Sequence, residues 1–194
     1  MAEFIAFNNA VEVNERTILS FVNSTKKGKE QRVAMLKKSG IALDGTVWYP
    51  VQHWLDAFKD LSDNIGEIDL FFIGRAIIEN AEFPPMKDLQ EALASIDFAY
   101  HMNHRVNGQV MFDAETGTML DGIGHYTLVS FDAAARKAVM KCENPYPSKF
   151  DQGIIDKVTE LFKPATSKEY QVSIDSTKER RTRGAESCTY LIHW

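Results

Sequence analysis

The strongest constraint on the fold is a change in the spacing of apolar residues near Arg105. Before it, apolar side chains recur every three or four residues, which is the period of an amphipathic helix; after it, they alternate at every second position, which is the period of a strand. The spacing predicts helices over residues 14–22, 29–38, 50–65, 68–80 and 86–100. It predicts strands over residues 126–131, 137–142, 170–174 and 190–194.

Helices first and strands later are typical of an α+β protein. We therefore predict an N-terminal helical half packed on a small, mainly antiparallel sheet, with one inserted helix at residues 149–163. Ser148 and Asp151 have the spacing of a capping box that would open this helix. Neither a repeat nor a linker interrupts the pattern, so we expect a single domain over residues 1–194.

Charge and cysteine content narrow the class of protein. The net charge of -5 argues against nucleic acid as a partner, because binding to phosphates needs a basic surface. Cys142 and Cys188 are too few for a secreted disulfide scaffold, which favours a cytoplasmic protein. The N-terminus lacks the pattern of a signal peptide, and no apolar run approaches the roughly 20 residues that a membrane span needs.

Catalytic patterns are lacking in the sequence. Neither Gly-x-Ser-x-Gly nor His-Glu-x-x-His occurs, and both cysteines fall on strands whose alternate residues are apolar, which favours a packing role. We expect a protein that is not an enzyme. The basic run of Lys178, Arg180, Arg181 and Arg183 lies in the polar stretch between the last two strands and is interpreted as a solvated hairpin.

Histidines give the one pattern that is suited to a metal. His101 and His104 are three residues apart at the end of the fifth helix, and His125 is a conceivable third ligand. The alternative interpretation is that His101 and His104 are partly exposed cations near a helix C-terminus, where the helix dipole favours positive charge. His101 and His104 together with Arg105 can also bind an anionic group.

The second half of the chain resembles a known superfamily. The residues that carry the resemblance are the segment 142–147 (Cys-Glu-Asn-Pro-Tyr-Pro), a helix that begins at Phe150, and a closing hairpin with Cys188, Tyr190 and Trp194. They resemble the ligand-binding superfamily of NO signalling and Golgi transport. Its members include haem NO/oxygen-binding domains, vinyl-reductase-type sensor domains and Bet3-like subunits of the TRAPP tethering complex.

The resemblance implies a sheet packed on helices around an apolar cavity that accepts haem, a small aromatic molecule or an acyl chain. Haem-binding members use a histidine from a helix that precedes a Tyr-x-Ser-x-Arg motif. Residues 70–99 contain no histidine, and the nearest match that we identify, Tyr100 to Arg105, has a different spacing. The cofactor is therefore left open, with haem as one possibility.

Three hypotheses of function follow. The first is a non-enzymatic sensor in bacterial signalling, in which Trp54, Phe72 and Tyr100 line an internal cavity for a small hydrophobic or aromatic ligand while His104 and Arg105 orient its polar end. The second is a protein–protein interaction module that forms a homodimer or binds a signalling partner. The third is a haem- or metal-binding sensor that uses His53, His101, His104 or His125.

Overall fold

The structure, a computed structural model, describes residues 3–23, 28–64, 66–81 and 83–194. Helices dominate its first half, as the apolar spacing predicts. They are α1 (Glu15–Asn23), α2 (Lys29–Lys38), α3 (Val51–Asn64), α4 (Glu67–Glu79) and α5 (Leu89–Met102). The fifth begins three residues later than predicted because the Asp88 side chain accepts a hydrogen bond from the backbone N–H of Glu91 and so caps the helix.

A small sheet that the sequence pattern did not predict joins the N-terminal half to the centre of the chain. Its strands are β1 (Val11–Asn14), β2 (Trp48–Pro50), β3 (His104–Val106) and β4 (Gln109–Val110), in the order β2-β1-β3-β4. Val13 pairs with Tyr49 on one side and with His104 on the other. Strands this short carry too few alternations to be recognised, and their pairing depends on residues far apart in sequence.

All four predicted strands lie in a second antiparallel sheet. It contains β7 (His125–Asp132), β8 (Lys137–Glu143), β9 (Gln171–Ile174) and β10 (Cys188–His193), in the order β7-β8-β10-β9, and the inserted helix α6 (Ser148–Phe162) connects β8 to β9. A third, two-stranded sheet pairs β5 (Phe112–Asp113) with β6 (Thr118–Met119). The predicted α+β class, with a helical half, an antiparallel sheet and one inserted helix, is confirmed.

Two glycines let α4 and α6 approach closely. A Cβ atom at Gly74 would lie 2.2 Å from the carbonyl oxygen of Phe150, and one at Gly153 would lie 2.0 Å from that of Phe71. Both separations are shorter than any van der Waals contact, so only glycine fits at either position. None of the described helices is long and apolar enough to cross a membrane.

The first turn of α6 differs from the predicted capping box. Pro147 precedes the helix without a capping side chain, and Ser148 is already its first residue. The Ser148 hydroxyl donates to the Glu3 carboxylate, and Asp151 is fully buried against Arg181. The local spacing suggested a pairing within the helix, whereas both side chains bind partners that are distant in sequence.

Candidate functional site

The space between the helices and the main sheet is filled by aromatic side chains. Trp54 is fully buried, with ring centroids 5.4 Å from Phe21 and 4.3 Å from Phe58. Phe58 in turn contacts Tyr146 at 5.9 Å and Phe150 at 4.8 Å. The expected cavity residue Trp54 is thus a core residue in contact with other rings.

Tyr100 and His104 continue this aromatic core. The Tyr100 hydroxyl donates to the carbonyl oxygen of Ile123 at 2.8 Å. His104 Nδ1 lies 2.7 Å from the Tyr100 carbonyl oxygen. Because a carbonyl oxygen can only accept a hydrogen bond, Nδ1 carries the hydrogen. Nε2 therefore accepts a hydrogen bond from the Tyr146 hydroxyl at 2.8 Å. Burial lowers the pKa of His104 to about 4, so its imidazole is neutral near pH 7. The interpretation of His104 as a partly exposed cation is therefore wrong.

Arg105 and Phe72 lie outside this core. Arg105 donates to both Glu12 carboxylate oxygens, at 2.6 and 3.1 Å, and its guanidinium carbon is 4.9 Å from the centre of the Trp48 ring. Its charge is therefore already paired. The Phe72 side chain is 58% exposed on the outer side of α4 instead of facing the interior. The residues chosen from the sequence do not come together around one cavity, and a ligand-binding role for them stays a prediction.

The histidines separate into two groups. His101 and His125 stack with their ring centroids 5.0 Å apart, and Asp97 joins them, 3.0 Å from its Oδ2 to His125 Nδ1. His104 is turned toward Tyr146 and belongs to the aromatic core. The prediction that His101 and His104 share one helix face is wrong, because the helix ends at Met102, before His104. His101 and Asp97 do share a face, since they are one helical turn apart. His101 is completely buried and burial lowers its pKa, so the interpretation as a partly exposed cation is wrong for this residue too.

A buried ion pair occupies the start of α6. Arg181 is only 2% exposed, and its guanidinium donates to Asp151 and to the carbonyl and side-chain oxygens of Asn144, at 2.6 and 2.5 Å. The prediction of a solvated hairpin is wrong for this residue. Burial raises the pKa of Asp151 to about 6 in spite of Arg181, and the Tyr126 hydroxyl also donates to this carboxylate.

A cleft of about 430 Å³ opens beside this ion pair. It lies between the N-terminal segment, the first turns of α6 and the β9–β10 connection. Its lining residues are Glu3, Phe4, Ser62, Glu67, Leu70, Pro147, Ser148, Lys149, Gln152, Ser173, Ile174, Arg180, Thr182 and Cys188. Its walls combine apolar side chains with hydroxyl, amide and charged groups. No sequence pattern signals this cleft, because its walls come from segments scattered over the whole chain.

The motif position and the aromatic core do not fit a haem. The segment Tyr146-Pro147-Ser148-Lys149-Phe150 matches the Tyr-x-Ser-x-Arg motif better than the segment at Tyr100 does, because it has its tyrosine and serine at the right spacing. Phe150, however, stands where the motif has arginine. The Tyr146 hydroxyl is used by His104, and Phe150 is buried and stacked on Tyr146 at 5.4 Å. A macrocycle would have to displace this aromatic core.

Sequence comparison gives no relatives, whereas structural comparison does. No family model and no curated protein matches the chain. An oxygen-binding H-NOX domain related to soluble guanylate cyclases matches with a TM-score of 0.59 at 15% identity, covering 92% of this chain and 91% of that one. The carbon monoxide-ligated H-NOX domain of Shewanella woodyi matches with a TM-score of 0.54 at 16% identity, over 91% of this chain and 90% of that one.

A third match comes from work on haem distortion in the H-NOX family, with a TM-score of 0.59 at 16% identity over 92% of this chain and 93% of the other. All three likenesses span nearly the full length of both chains. At this level of identity they bear on architecture and not on chemistry. The chain therefore has the fold of the haem NO/oxygen-binding, or H-NOX, domains.

Proposed function

We propose that this chain is a non-enzymatic sensor domain that binds a small molecule in the cleft at the start of α6. The cleft itself carries the proposal. Its volume of about 430 Å³ falls within the range of small-molecule sites. Support also comes from the fold, since one of the similar structures is described as an oxygen-binding domain. We place the domain in the cytoplasm as part of the same proposal.

The lining residues indicate the kind of ligand. The lining offers apolar surface together with positive and negative charge, from Phe4, Leu70, Ile174, Lys149, Arg180, Glu3 and Glu67. A small molecule with an apolar body and polar groups that pair with these charges matches both parts. We prefer it to a purely hydrophobic ligand, which would desolvate the charged side chains without giving them a partner.

Native mass spectrometry of the gently purified protein tests this proposal. We expect a co-purifying small molecule, lost from a Thr182→Trp variant in which the indole fills the cleft from its exposed rim. The matched control is Lys178→Trp, in the same connection but outside the lining. Equal retention by both variants would place the ligand elsewhere.

Haem is the second candidate ligand, and the structural likeness to H-NOX domains supports it. Two of the similar structures come from work on haem in this fold. His101 on α5 also has a buried Nε2 without a hydrogen-bond partner among the described residues, as an unoccupied ligand would. Against haem stands the filled aromatic core, and reconstitution with haemin decides between the two ligands.

An interaction surface is the third candidate function. Ile68 and Phe72 are 59% and 58% exposed, one turn apart on α4, which is unusual for large apolar residues of a monomer. A homodimer through this face would give twice the monomer mass in light scattering, and Phe72→Ser would return it to a monomer. A monomer mass for the unmodified chain would dismiss the homodimer.

A further inference from the structure

We infer that Asp97, His101 and His125 form a binding site for one divalent transition-metal ion of the zinc class, where α5 meets the start of β7. One ligand atom from each residue lies within 4.8 Å of the other two. The site is separate from the cleft at α6 and does not depend on ligand binding there, although it uses the same His101 that would bind iron in the haem alternative.

His101 has the hydrogen-bonding pattern of metal-binding histidines. Its Nδ1 lies 2.8 Å from the carbonyl oxygen of Asp97, so this nitrogen carries the hydrogen and Nε2 presents a bare lone pair. The side chain is completely buried, and Nε2 finds no hydrogen-bond partner in the described part of the chain. Histidines that bind metals usually donate a hydrogen bond from their other ring nitrogen, often to a backbone carbonyl, and this bond holds the ring in place.

Asp97 and His125 supply the other two ligands. Asp97 Oδ1 accepts the backbone N–H of Tyr126 at 2.9 Å, which fixes the carboxylate against β7, and Oδ2 is 3.0 Å from His125 Nδ1. The His125 ring is 35% exposed, so the cluster can be reached from solvent. A metal would replace the contact between Asp97 and His125. The two stacked rings would also have to turn, because their nitrogen lone pairs lie in the ring planes and must converge on the ion.

The donor set indicates the metal. Two imidazoles and one carboxylate suit Zn²⁺, whose sites with three protein ligands keep a fourth position open. Asp121 Oδ1 lies 3.7 Å from His125 Nε2 and its side chain is 97% exposed, in the loop before β7. The fourth position can therefore take solvent or this carboxylate, which would fasten the loop to α5.

Calorimetric titration of the metal-free protein with zinc chloride tests the inference. We expect one zinc per chain and, for His125→Ala, an affinity lower by at least about 10- to 100-fold, the loss typical of residues that merely support a ligand. Asp97→Asn should lose affinity similarly while keeping the oxygen that accepts from Tyr126. Cobalt in place of zinc should give the visible bands of tetrahedral nitrogen and oxygen ligation.

His193→Ala is the matched control, because His193 is an exposed histidine on β10. It should bind zinc like the unmodified chain, and circular dichroism should show all variants folded. Zinc binding that survives unchanged in both His125→Ala and Asp97→Asn would overturn the site, as would the absence of saturable binding.

Discussion

Among single residues, Arg181 and Asp151 show how far a side chain's role depends on its partner. Both are almost completely buried, 30 residues apart in sequence, and are joined by charge and hydrogen bonds. From the sequence, Arg181 belonged to an exposed basic run and Asp151 to a helix cap. Neither prediction could anticipate the pairing, because it exists only once the β9–β10 connection has folded over α6. Apolar residues, whose burial follows from local spacing alone, were predicted much better.

Removing one member of this ion pair should strongly destabilise the protein. We predict that Arg181→Met lowers the free energy of unfolding by about 3–5 kcal/mol, because it leaves the Asp151 carboxylate buried without its partner. Arg183→Met, in the same turn but exposed, should change it by less than about 0.5 kcal/mol. Urea unfolding of the two variants measures the difference. Equal stabilities would contradict a structural role for the ion pair.

Two buried groups should give opposite dependences of stability on pH. The pKa of Asp151 rises from 3.8 to about 6, so the stability it contributes is present below pH 4 and is lost as pH rises through 6. The pKa of His104 falls from 6.5 to about 4, so its contribution is present above pH 6.5 and is lost as pH falls through 4. In the unmodified chain these effects largely cancel.

Single variants separate them. Between pH 4 and 7 the free energy of unfolding of the unmodified protein should fall by roughly 3 kcal/mol relative to that of Asp151→Asn. Relative to that of His104→Gln, it should rise by a similar amount. Unfolding free energies at several pH values provide the test. A difference that does not vary with pH for either variant would show that the group titrates normally.

Among elements, the packing of α4 on α6 holds the helical half against the sheet. The bounds of both helices were predicted to within a few residues, because apolar spacing and flanking glycine and proline are local signals. Their contact was not predicted. It depends on Gly74 and Gly153. In a sequence, a glycine inside a helix indicates only a low helix propensity and not a close helix–helix contact.

Alanine at either glycine should separate the helices. We predict that Gly74→Ala and Gly153→Ala each destabilise the protein by about 1–3 kcal/mol, despite alanine's better helix propensity, since the added methyl group meets backbone. Gln90→Ala, at an exposed position of α5, should be neutral or slightly stabilising. Melting temperatures give the comparison. Glycine variants as stable as the unmodified chain would mean that the helices do not pack this closely in solution.

For the whole molecule, the fold is shared with H-NOX domains while the interior is not built around a haem. The order of elements in the second half was enough to suggest the superfamily from the sequence. The state of the interior was beyond sequence reasoning, because aromatic residues such as Trp54, Tyr146 and Phe150 can line a cavity or fill one. Their ring-to-ring contacts show that here they fill it. Our proposal therefore assigns ligand binding to the cleft at α6.

The most direct test of this account is an absorption spectrum of the protein titrated with haemin, and of protein produced in cells supplied with a haem precursor. We predict no Soret band from a specific complex, and no change on His101→Ala or His104→Ala. A one-to-one complex with a sharp Soret band that either substitution removes would contradict the account and make the chain a haem sensor.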